Sequence, residues 1–302
     1  MLTKKSLLFR KIAKNHFFYI MLLPIVLYFI VFNYYPLILG FFSSFQEVGL
    51  LGNSTFVGID NYITVWNHPA FRQSISNTLI VGILSSALQL ALALVLALMI
   101  NEIRIKLFRS AIQTVTYLPY LLSWAIVGGI WMNLLSPSGF INNVLRLISE
   151  TGFQPIVFMA EERFARSIIV LTSGWKYAGY YAVLLLAAIV SIDQSVYEAA
   201  SIDGASRFRQ IRAITIPNIV PTIKIVTMLA SMGLLRNFDQ IYIMSRASID
   251  DKIRNMLRWV FYQGIERFQI GLATAAATFI LLATIILTFI VRKVVRYDQS
   301  FD

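Results

Sequence analysis

The chain contains no cysteine and only two histidines among its 302 residues, and charged residues make up only 14% of it. Without cysteine there can be no disulfide, no thiolate chemistry and no cysteine-based metal site. His16 and His68 stand far apart, so no metal-binding pair is predicted. A soluble domain needs more charge to cover its surface, whereas apolar residues make up 58% of this chain. These values are typical of a protein whose solvent is a lipid bilayer.

Sequence motifs of common enzyme classes are also absent. No Gly-rich sequence ends in Gly-Lys-Ser or Gly-Lys-Thr, so the chain itself is not expected to bind or hydrolyse ATP. Neither HExxH nor G-x-S-x-G occurs. We therefore expect no catalytic residue, metal or cofactor in this chain. The formal net charge of +11 could suggest nucleic acid binding, but in so hydrophobic a chain basic residues beside membrane spans are the better explanation.

Apolar runs long enough to cross a bilayer, about 20 residues each, occur six times. Because lipid-exposed backbone must bond to itself, each run is predicted to be a helix, which makes the chain an all-α membrane protein. Pro119 is expected to kink the third span. The predicted spans are 17–42, 75–100, 110–135, 167–190, 219 to between 235 and 244, and 271–291. The predicted regions are an amphipathic N-terminal segment (1–16), a transmembrane domain (17–291) and a tail (292–302).

Basic residues predict the orientation of these spans. They lie before the first span, in the second and fourth connections and after the last span: Lys4, Lys5, Arg10, Lys11, Lys14, Arg104, Lys106, Arg109, Arg207, Arg209, Arg212, Arg292, Lys293 and Arg296. The positive-inside rule then places both termini in the cytoplasm, with the basic N-terminal segment along the anionic lipid leaflet. One connection disagrees, because residues 236–268 carry six basic residues although a six-span topology places them outside.

The stretch YEAASIDGASRFRQIRAITIPNIVP, residues 197–221, is polar but favours helix, and it lies between two apolar spans. A break is expected at Asp203-Gly204, because glycine readily adopts a left-handed turn. A second short helix is predicted from about Ser206 to Ala213, and Pro217 then ends that helix or begins the next. The pattern predicts a helix–turn–helix on the cytoplasmic face of the membrane.

This stretch resembles the EAA loop of ABC importer permeases. The matching features are Glu198-Ala199-Ala200, a glycine six residues after the glutamate, and Ile214-x-Ile216-Pro217, where the family usually has leucine in place of Ile216. The resemblance implies a type I ABC importer permease with six transmembrane helices, whose loop at about 195–217 is the coupling helix. It also implies that these residues contact or shape the docking surface for an ATP-binding subunit: Glu198, Ala199, Ala200, Asp203, Gly204, Ala205 and Pro217.

Looser patterns extend the resemblance over nearly the whole chain, to carbohydrate-type permeases of the maltose and glycerol-3-phosphate kind. They include FVGIDNYITVW and SGWKYAGYYAVLLLAAIVSIDQSVYEAASIDGA. The resemblance implies import of a sugar or oligosaccharide across the bacterial cell membrane. It further implies a second, unlike permease, two ATP-binding subunits that hold ATP and Mg, and an extracellular solute-binding protein.

Two alternatives to sugar import stay open. The first is an importer of the same type for a phosphorylated polyol or a peptide. The second is a secondary transporter that works without ATP. Such transporters often show internal repeats and carboxylates in mid-span, and this chain has no clear repeat and almost no acidic residues in its predicted spans.

Polar and aromatic residues in or near spans three to five are the candidates for contact with a sugar. Sugars are usually bound by aromatic faces together with amide and hydroxyl groups, although tryptophan and tyrosine also anchor spans at the membrane interface. The candidates are Trp131, Asn133, Trp175, Lys176, Asn237, Gln240 and Tyr242. A charge inside a span is costly, so Lys176 either contacts an anionic group in a cavity or extends to the headgroups from the outer end of its span. The second interpretation is favoured, because the fourth span can start close to it.

Overall fold

The computed structural model describes residues 15–49, 53–149 and 152–295. Most of the predicted amphipathic segment 1–16 and most of the tail 292–302 lie outside the described residues. The basic residues Lys4, Lys5, Arg10, Lys11, Lys14 and Arg296 are among those left out. The described chain is helical apart from one short antiparallel hairpin, β1 (Gln46–Val48) with β2 (Ser54–Phe56).

The helices are named here in chain order. They are α1 (His16–Ser43), α2 (Asp60–Asn67), α3 (Pro69–Asn101), α4 (Lys106–Leu121), α5 (Trp124–Leu134), α6 (Phe140–Ile148), α7 (Glu162–Val190), α8 (Gln194–Ile202), α9 (Arg207–Gly233), α10 (Asp239–Met244), α11 (Asp250–Ile253), α12 (Met256–Phe261) and α13 (Ile270–Val295). Helices α1 and α9 each contain a π turn, at Ile30–Tyr34 and Ile211–Thr215.

Four of the described helices, α1, α3, α9 and α13, are long and apolar enough to cross a membrane. The number rises to six if two bent pairs each count as one span, α4 with α5 and α7 with α8. The helix axes turn by 103° within the first pair and by 70° within the second. The predicted class, a helical multi-pass membrane protein, is therefore confirmed, while the count of six spans stays a prediction.

The third predicted span, 110–135, is broken rather than kinked. Helix α4 ends at Leu121, Leu122 and Ser123 are extended, and α5 begins at Trp124. Ser123 favours a new helix start, because its hydroxyl accepts a hydrogen bond from the backbone N–H of Ile126 at 3.4 Å. Pro119 lies in the last turn of α4, so the proline indicated the right place for a change in direction. That change, 103°, is larger than a kink.

The fifth predicted span begins earlier than residue 219, and the separate short helix predicted for Ser206–Ala213 is wrong. Helix α9 runs without interruption from Arg207 to Gly233. Proline lacks an N–H and normally disturbs a helix, but here a wider π turn directly precedes Pro217 and absorbs the disturbance. The backbone N–H of Ile216 bonds to the carbonyl of Ile211, which is the π pattern. Pro217 therefore lies in the first turn of the α-helical part Ile216–Gly233, as predicted, but the helix is not interrupted before it.

Contacts divide the described residues into two compact units, those up to 65 with 263–278, and those of 66–262 with 279–295. In the first unit, α1 buries none of its residues, so its apolar surface faces outward on all sides. In the second unit, α7 is the central helix. It packs with α5, α10 and α11 around Trp124, Ile169 and Met244, and with α3 and α9 around Leu185 and Ile219.

Candidate functional site

A cavity of about 220 Å³ lies between α3, α7, α9 and the segment before α10. We call it the central cavity. Its polar lining residues are Thr78, Ser85, Ser86, Gln89, Ser173, Arg236, Asn237, Asp239 and Asn255, and its aromatic ones are Trp124, Tyr177, Tyr181 and Phe238. Amide, hydroxyl and aromatic groups that converge on one cavity are the usual composition of a small-molecule site.

Hydrogen bonds between the helices hold the walls of the central cavity. The amide of Gln89 on α3 donates to the hydroxyl of Ser173 on α7 at 2.8 Å. The hydroxyl of Ser86 donates to the carbonyl of Ala230 on α9 at 3.3 Å. The hydroxyl of Ser85 is buried and has no hydrogen-bond partner within the described part of the chain. Buried polar atoms are nearly always paired, so Ser85 offers a free hydrogen-bonding group to a bound molecule.

The polar residues of α3 were not among the predicted contacts, although a signal was present. Ser85 and Gln89 interrupt a long apolar run and stand four residues apart, so they share one face of a helix. Polar side chains in the middle of a span are costly unless they face a partner or a cavity. The positions of Ser85 and Gln89 within the apolar run therefore indicated which face of α3 borders the central cavity.

Of the predicted contacts, Asn237 lines the central cavity and Gln240 supports it from behind. Gln240 is fully buried, and its amide donates to the carbonyl of Ile169 at 2.8 Å and to the hydroxyl of Thr172 at 2.7 Å. The amide of Asn237 in turn donates to the side-chain oxygen of Gln240 at 2.7 Å. These bonds hold the first turn of α10 against α7 and orient the side chain of Asn237.

Four other predicted contacts lie away from the lining of the central cavity. Trp131 and Trp175 meet edge to face at 5.7 Å between ring centroids, and Asn133 lies in the same helix as Trp131. Tyr242 is 47% exposed, stacks on Phe238 and lies under the guanidinium of Arg258 at 5.3 Å. The three aromatic side chains among them therefore make their ring contacts outside the cavity lining.

Lys176 does not extend to the headgroups, so the favoured interpretation from the sequence is wrong. Its side chain is 4% exposed, in the middle of α7. The ammonium donates to the carbonyls of Pro119, Tyr120 and Leu122 at 2.9, 3.1 and 2.5 Å. The last carbonyls of a helix lack partners within it and carry a partial negative charge. Lys176 therefore closes the broken end of α4.

Residues 194–217, here called the EAA segment, form α8, a turn and the start of α9. Gly204 has φ +73°, and the backbone N–H of Ala205 bonds to the carbonyl of Ala200 at 2.9 Å. This is the helix ending that a left-handed glycine permits, which confirms the turn predicted at Asp203-Gly204. At the start of α8 the backbone N–H and the hydroxyl of Ser195 bond to Asp193 and hold the pKa of its carboxyl below the usual value.

Side-chain bonds join the two arms of the EAA segment. The amide of Gln210 donates to the hydroxyl of Ser201 at 3.0 Å and to the carbonyl of Ala205 at 3.1 Å. The hydroxyls of Tyr197 and Thr215 bond to each other at 2.9 Å. Both arms are therefore tied to each other at two levels.

The predicted docking residues of the EAA segment are mainly on its surface. Glu198, Ala199, Asp203, Gly204 and Pro217 are exposed, whereas Ala200 and Ala205 are half-buried. Two large apolar side chains stand beside them in solvent, Ile202 at 87% and Phe208 at 74% exposure. Exposed apolar groups next to a rigid polar turn are typical of a protein interface.

Comparison with known proteins gives matches over nearly the whole chain. The family described as the binding-protein-dependent transport system inner membrane component matches residues 89–297. The polygalacturonan/rhamnogalacturonan transport system permease protein YteP of Bacillus subtilis (strain 168) is 32% identical over 298 residues, 97% of this chain and 92% of the relative. The trehalose/maltose transport system permease protein MalF of Thermococcus litoralis is 29% identical, over 93% of this chain and 94% of the relative.

Two solved structures are similar as well. A chain in the crystal structure of a bacterial ABC transporter involved in the import of the acidic polysaccharide alginate has a TM-score of 0.88 and 31% identity, with 97% of this chain and 99% of that chain covered. A chain of a bacterial alginate ABC transporter in complex with an alginate pentasaccharide-bound periplasmic protein has a TM-score of 0.86 and 31% identity, over 95% and 96% of the two chains.

Proposed function

The chain belongs to the family of binding-protein-dependent transport system inner membrane components, and we propose that it is the membrane-spanning subunit of an ATP-driven saccharide importer. The family predicted from the sequence is thus confirmed. The observation that carries the proposal is the likeness, over 97% of the chain, to a chain of an alginate importer. The relative YteP, named for polygalacturonan and rhamnogalacturonan, supports a saccharide as cargo.

We infer that the saccharide passes through the central cavity. Ser85 and Asn237 offer hydrogen-bonding groups to sugar hydroxyls, and Asp239 accepts from them. Tyr177 offers an aromatic face to a sugar ring. Arg236 is a lining cation whose fork of donors suits a carboxylate. Together with the likeness to a chain of an alginate importer, it favours an acidic saccharide as cargo. Lys176 is not assigned to the cargo, because its ammonium is occupied by the carbonyls at the end of α4.

The EAA segment is proposed as the coupling helix. Glu198, Asp203 and the small residues beside them would dock on an ATP-binding subunit, which holds ATP and Mg and carries out hydrolysis. When the two ATP-binding subunits close, they would push α8, and the bonds between Gln210 and the turn would pass the movement to α9. Because α9 borders the central cavity, the movement would change access to it. The central cavity would then be exposed to the two sides of the membrane in turn.

The proposed assembly contains this chain, a second unlike permease, two ATP-binding subunits and an extracellular solute-binding protein. The alginate transporter in complex with its periplasmic protein supports the last of these partners. The proposed orientation has six spans and both termini in the cytoplasm, so that the EAA segment meets the ATP-binding subunits.

The test is purification of the native complex from detergent-solubilised membranes, followed by reconstitution into liposomes. We expect an ATP-binding subunit and a second permease to co-purify, and ATP hydrolysis to rise when the solute-binding protein carries a uronic-acid oligosaccharide. A neutral oligosaccharide of the same length is the matched cargo control. Asn237→Ala and Arg236→Gln should reduce uptake, whereas Asn133→Ala, outside the cavity lining, should leave it unchanged.

Two results would contradict the proposal. A chain that transports solute in liposomes without any associated ATPase would be a secondary transporter. A complex whose ATP hydrolysis responds to a phosphorylated polyol or a peptide, but to no saccharide, would be an importer of the same family with different cargo.

A further inference from the structure

A second cavity, of about 290 Å³, lies at the end of the second unit that carries the EAA segment. We call it the basic cavity. Three arginines line it, Arg104 and Arg109 from the connection between α3 and α4 and the start of α4, and Arg207 from the first turn of α9. Glu102 is the carboxylate in its lining, so the formal charge of the lining is +2, three arginines minus one glutamate. The proposed transport cycle uses the bonds of Gln210 in its wall but assigns no molecule to this cavity.

The charge of the basic cavity is not neutralised within the described part of the chain. The ion pairs found there join other residues, and none includes Arg104, Arg109 or Arg207. Arg109 is half-buried, which reduces the water available to its guanidinium. Uncompensated guanidinium groups that share one cavity repel each other and favour a bound anion.

Phosphate is the anion that this lining suits. A guanidinium presents its donors as a planar fork that matches two phosphate oxygens. The remaining wall also contains neutral hydrogen-bonding groups, since Tyr197 and Gln210 line it. Both of these side chains are held in place by bonds to neighbouring residues, at 2.9 Å and 3.0 Å.

The position of the basic cavity, at the ends of two apolar helices, indicates the source of the phosphate. Leu98 and Val190, in the last turns of the apolar helices α3 and α7, form part of its wall. The ends of membrane helices lie at the level of the lipid headgroups. A cavity lined both by arginines and by apolar helix ends is suited to a headgroup with its glycerol backbone. We propose that the basic cavity binds the phosphate of an anionic phospholipid.

A lipid bound there would connect two parts of the chain that meet at the EAA segment. Its phosphate would bridge the connection between α3 and α4 to the first turn of α9, through Arg104 and Arg207. This would brace the EAA segment against the connection between α3 and α4. Such an effect on ATP-driven uptake rests on the proposed function, whereas the binding itself does not.

The test measures lipid binding to the native complex that contains this chain, purified in neutral detergent, by native mass spectrometry. The probes are phosphatidylglycerol, phosphatidylcholine and inorganic phosphate. The variant R104Q/R109Q/R207Q removes the three positive charges of the basic cavity, and R209Q/R212Q/R292Q removes three positive charges from exposed positions outside its lining. Thermal unfolding of both variants, compared with the unchanged chain, verifies that each is folded.

We expect the cavity variant to bind phosphatidylglycerol at least tenfold more weakly, since one direct hydrogen bond to a charged group already contributes about a tenfold factor. The control variant should lose less than threefold, and phosphatidylcholine binding should be equal for all three proteins. Equal loss in both variants would show a diffuse surface charge and overturn the proposal. Strong binding of inorganic phosphate that displaces the lipid would assign the cavity to a soluble phosphate. Unchanged lipid binding in the cavity variant, with loss of the co-purifying ATP-binding subunit, would make it a protein contact instead.

Discussion

Replacement of Lys176 by methionine removes the charge that closes the end of α4 and keeps a side chain of similar length. The ammonium has three hydrogens, and the three carbonyls within reach use all of them, at 2.5 to 3.1 Å. The ring of Trp124 also faces it, at 5.4 Å from its centroid. With methionine at position 176, no side-chain donor would reach these carbonyls. Lipid would not supply a hydrogen-bond donor either.

The cost follows from the number of bonds lost. A buried acceptor left without a partner costs about 1–3 kcal/mol. Three carbonyls at the low end of that range give a loss of about 3 kcal/mol, and we use the low end because removal of the ammonium also relieves the cost of burying its charge. We therefore expect Lys176→Met to lower the free energy of unfolding by about 3 kcal/mol. The matched control is Lys252→Met, because Lys252 is 45% exposed and pairs with Glu162 at 3.2 Å. Exposed pairs contribute about 0–1 kcal/mol.

The assay is reversible unfolding from mild detergent into sodium dodecyl sulfate, followed by tryptophan fluorescence. If Lys176→Met loses no more stability than Lys252→Met, the ammonium does not hold the broken helix and the reasoning fails. Uptake provides a second check in the reconstituted complex. A change in preference between acidic and neutral saccharides in Lys176→Met would show that the ammonium reaches the cargo, as one interpretation of the sequence had it.

Three further predictions concern the turn, the topology and the helix packing. Glu198→Lys and Gly204→Asp should each abolish uptake while the chain still inserts and folds, and normal uptake by both would contradict the coupling role. A cysteine at position 251, where the aspartate side chain is 83% exposed, should react with a membrane-impermeant maleimide added outside intact cells, whereas reaction only after permeabilisation would reverse the topology of residues 236–268. Gly179→Ala should destabilise the chain by about 3 kcal/mol in the same unfolding assay, because the new Cβ would lie 1.9 Å from a carbonyl oxygen of α4. Gly233→Ala has open space around it and should be neutral or slightly stabilising, so equal effects of the two alanines would contradict this account.

Local signals in the sequence predicted the features that depend on local chemistry. Apolar runs longer than a soluble helix needs indicated the bilayer, because their composition alone decides which solvent they prefer. The turn at Asp203-Gly204 was also predictable, since glycine adopts φ +73° without steric cost. The helix through Pro217 was not, because the π turn before it removes the expected interruption. A π turn has no clear sequence pattern.

The candidate cavity was predictable only in part. Asn237 and Gln240 were identified as polar groups near the end of a span, but their different roles depend on which neighbours they meet. Gln240 contacts residues 68 and 71 positions away along the chain, and these bonds turn it toward α7 and leave Asn237 at the cavity. Ser85 and Gln89 carried a signal in their spacing, yet their importance appears only when α7 and α9 close the space beside α3.

The sequence by itself determined that this chain is a helical membrane protein of a transport family, with a glycine turn at Asp203-Gly204. Composition and short-range spacing carry that information, because each depends on residues close together in the chain. Only the tertiary structure decided the role of Lys176, whose partners are 54 to 57 positions away. The same holds for the two cavities, since a helix shows its apolar and polar residues in its sequence but not the helices against which they pack.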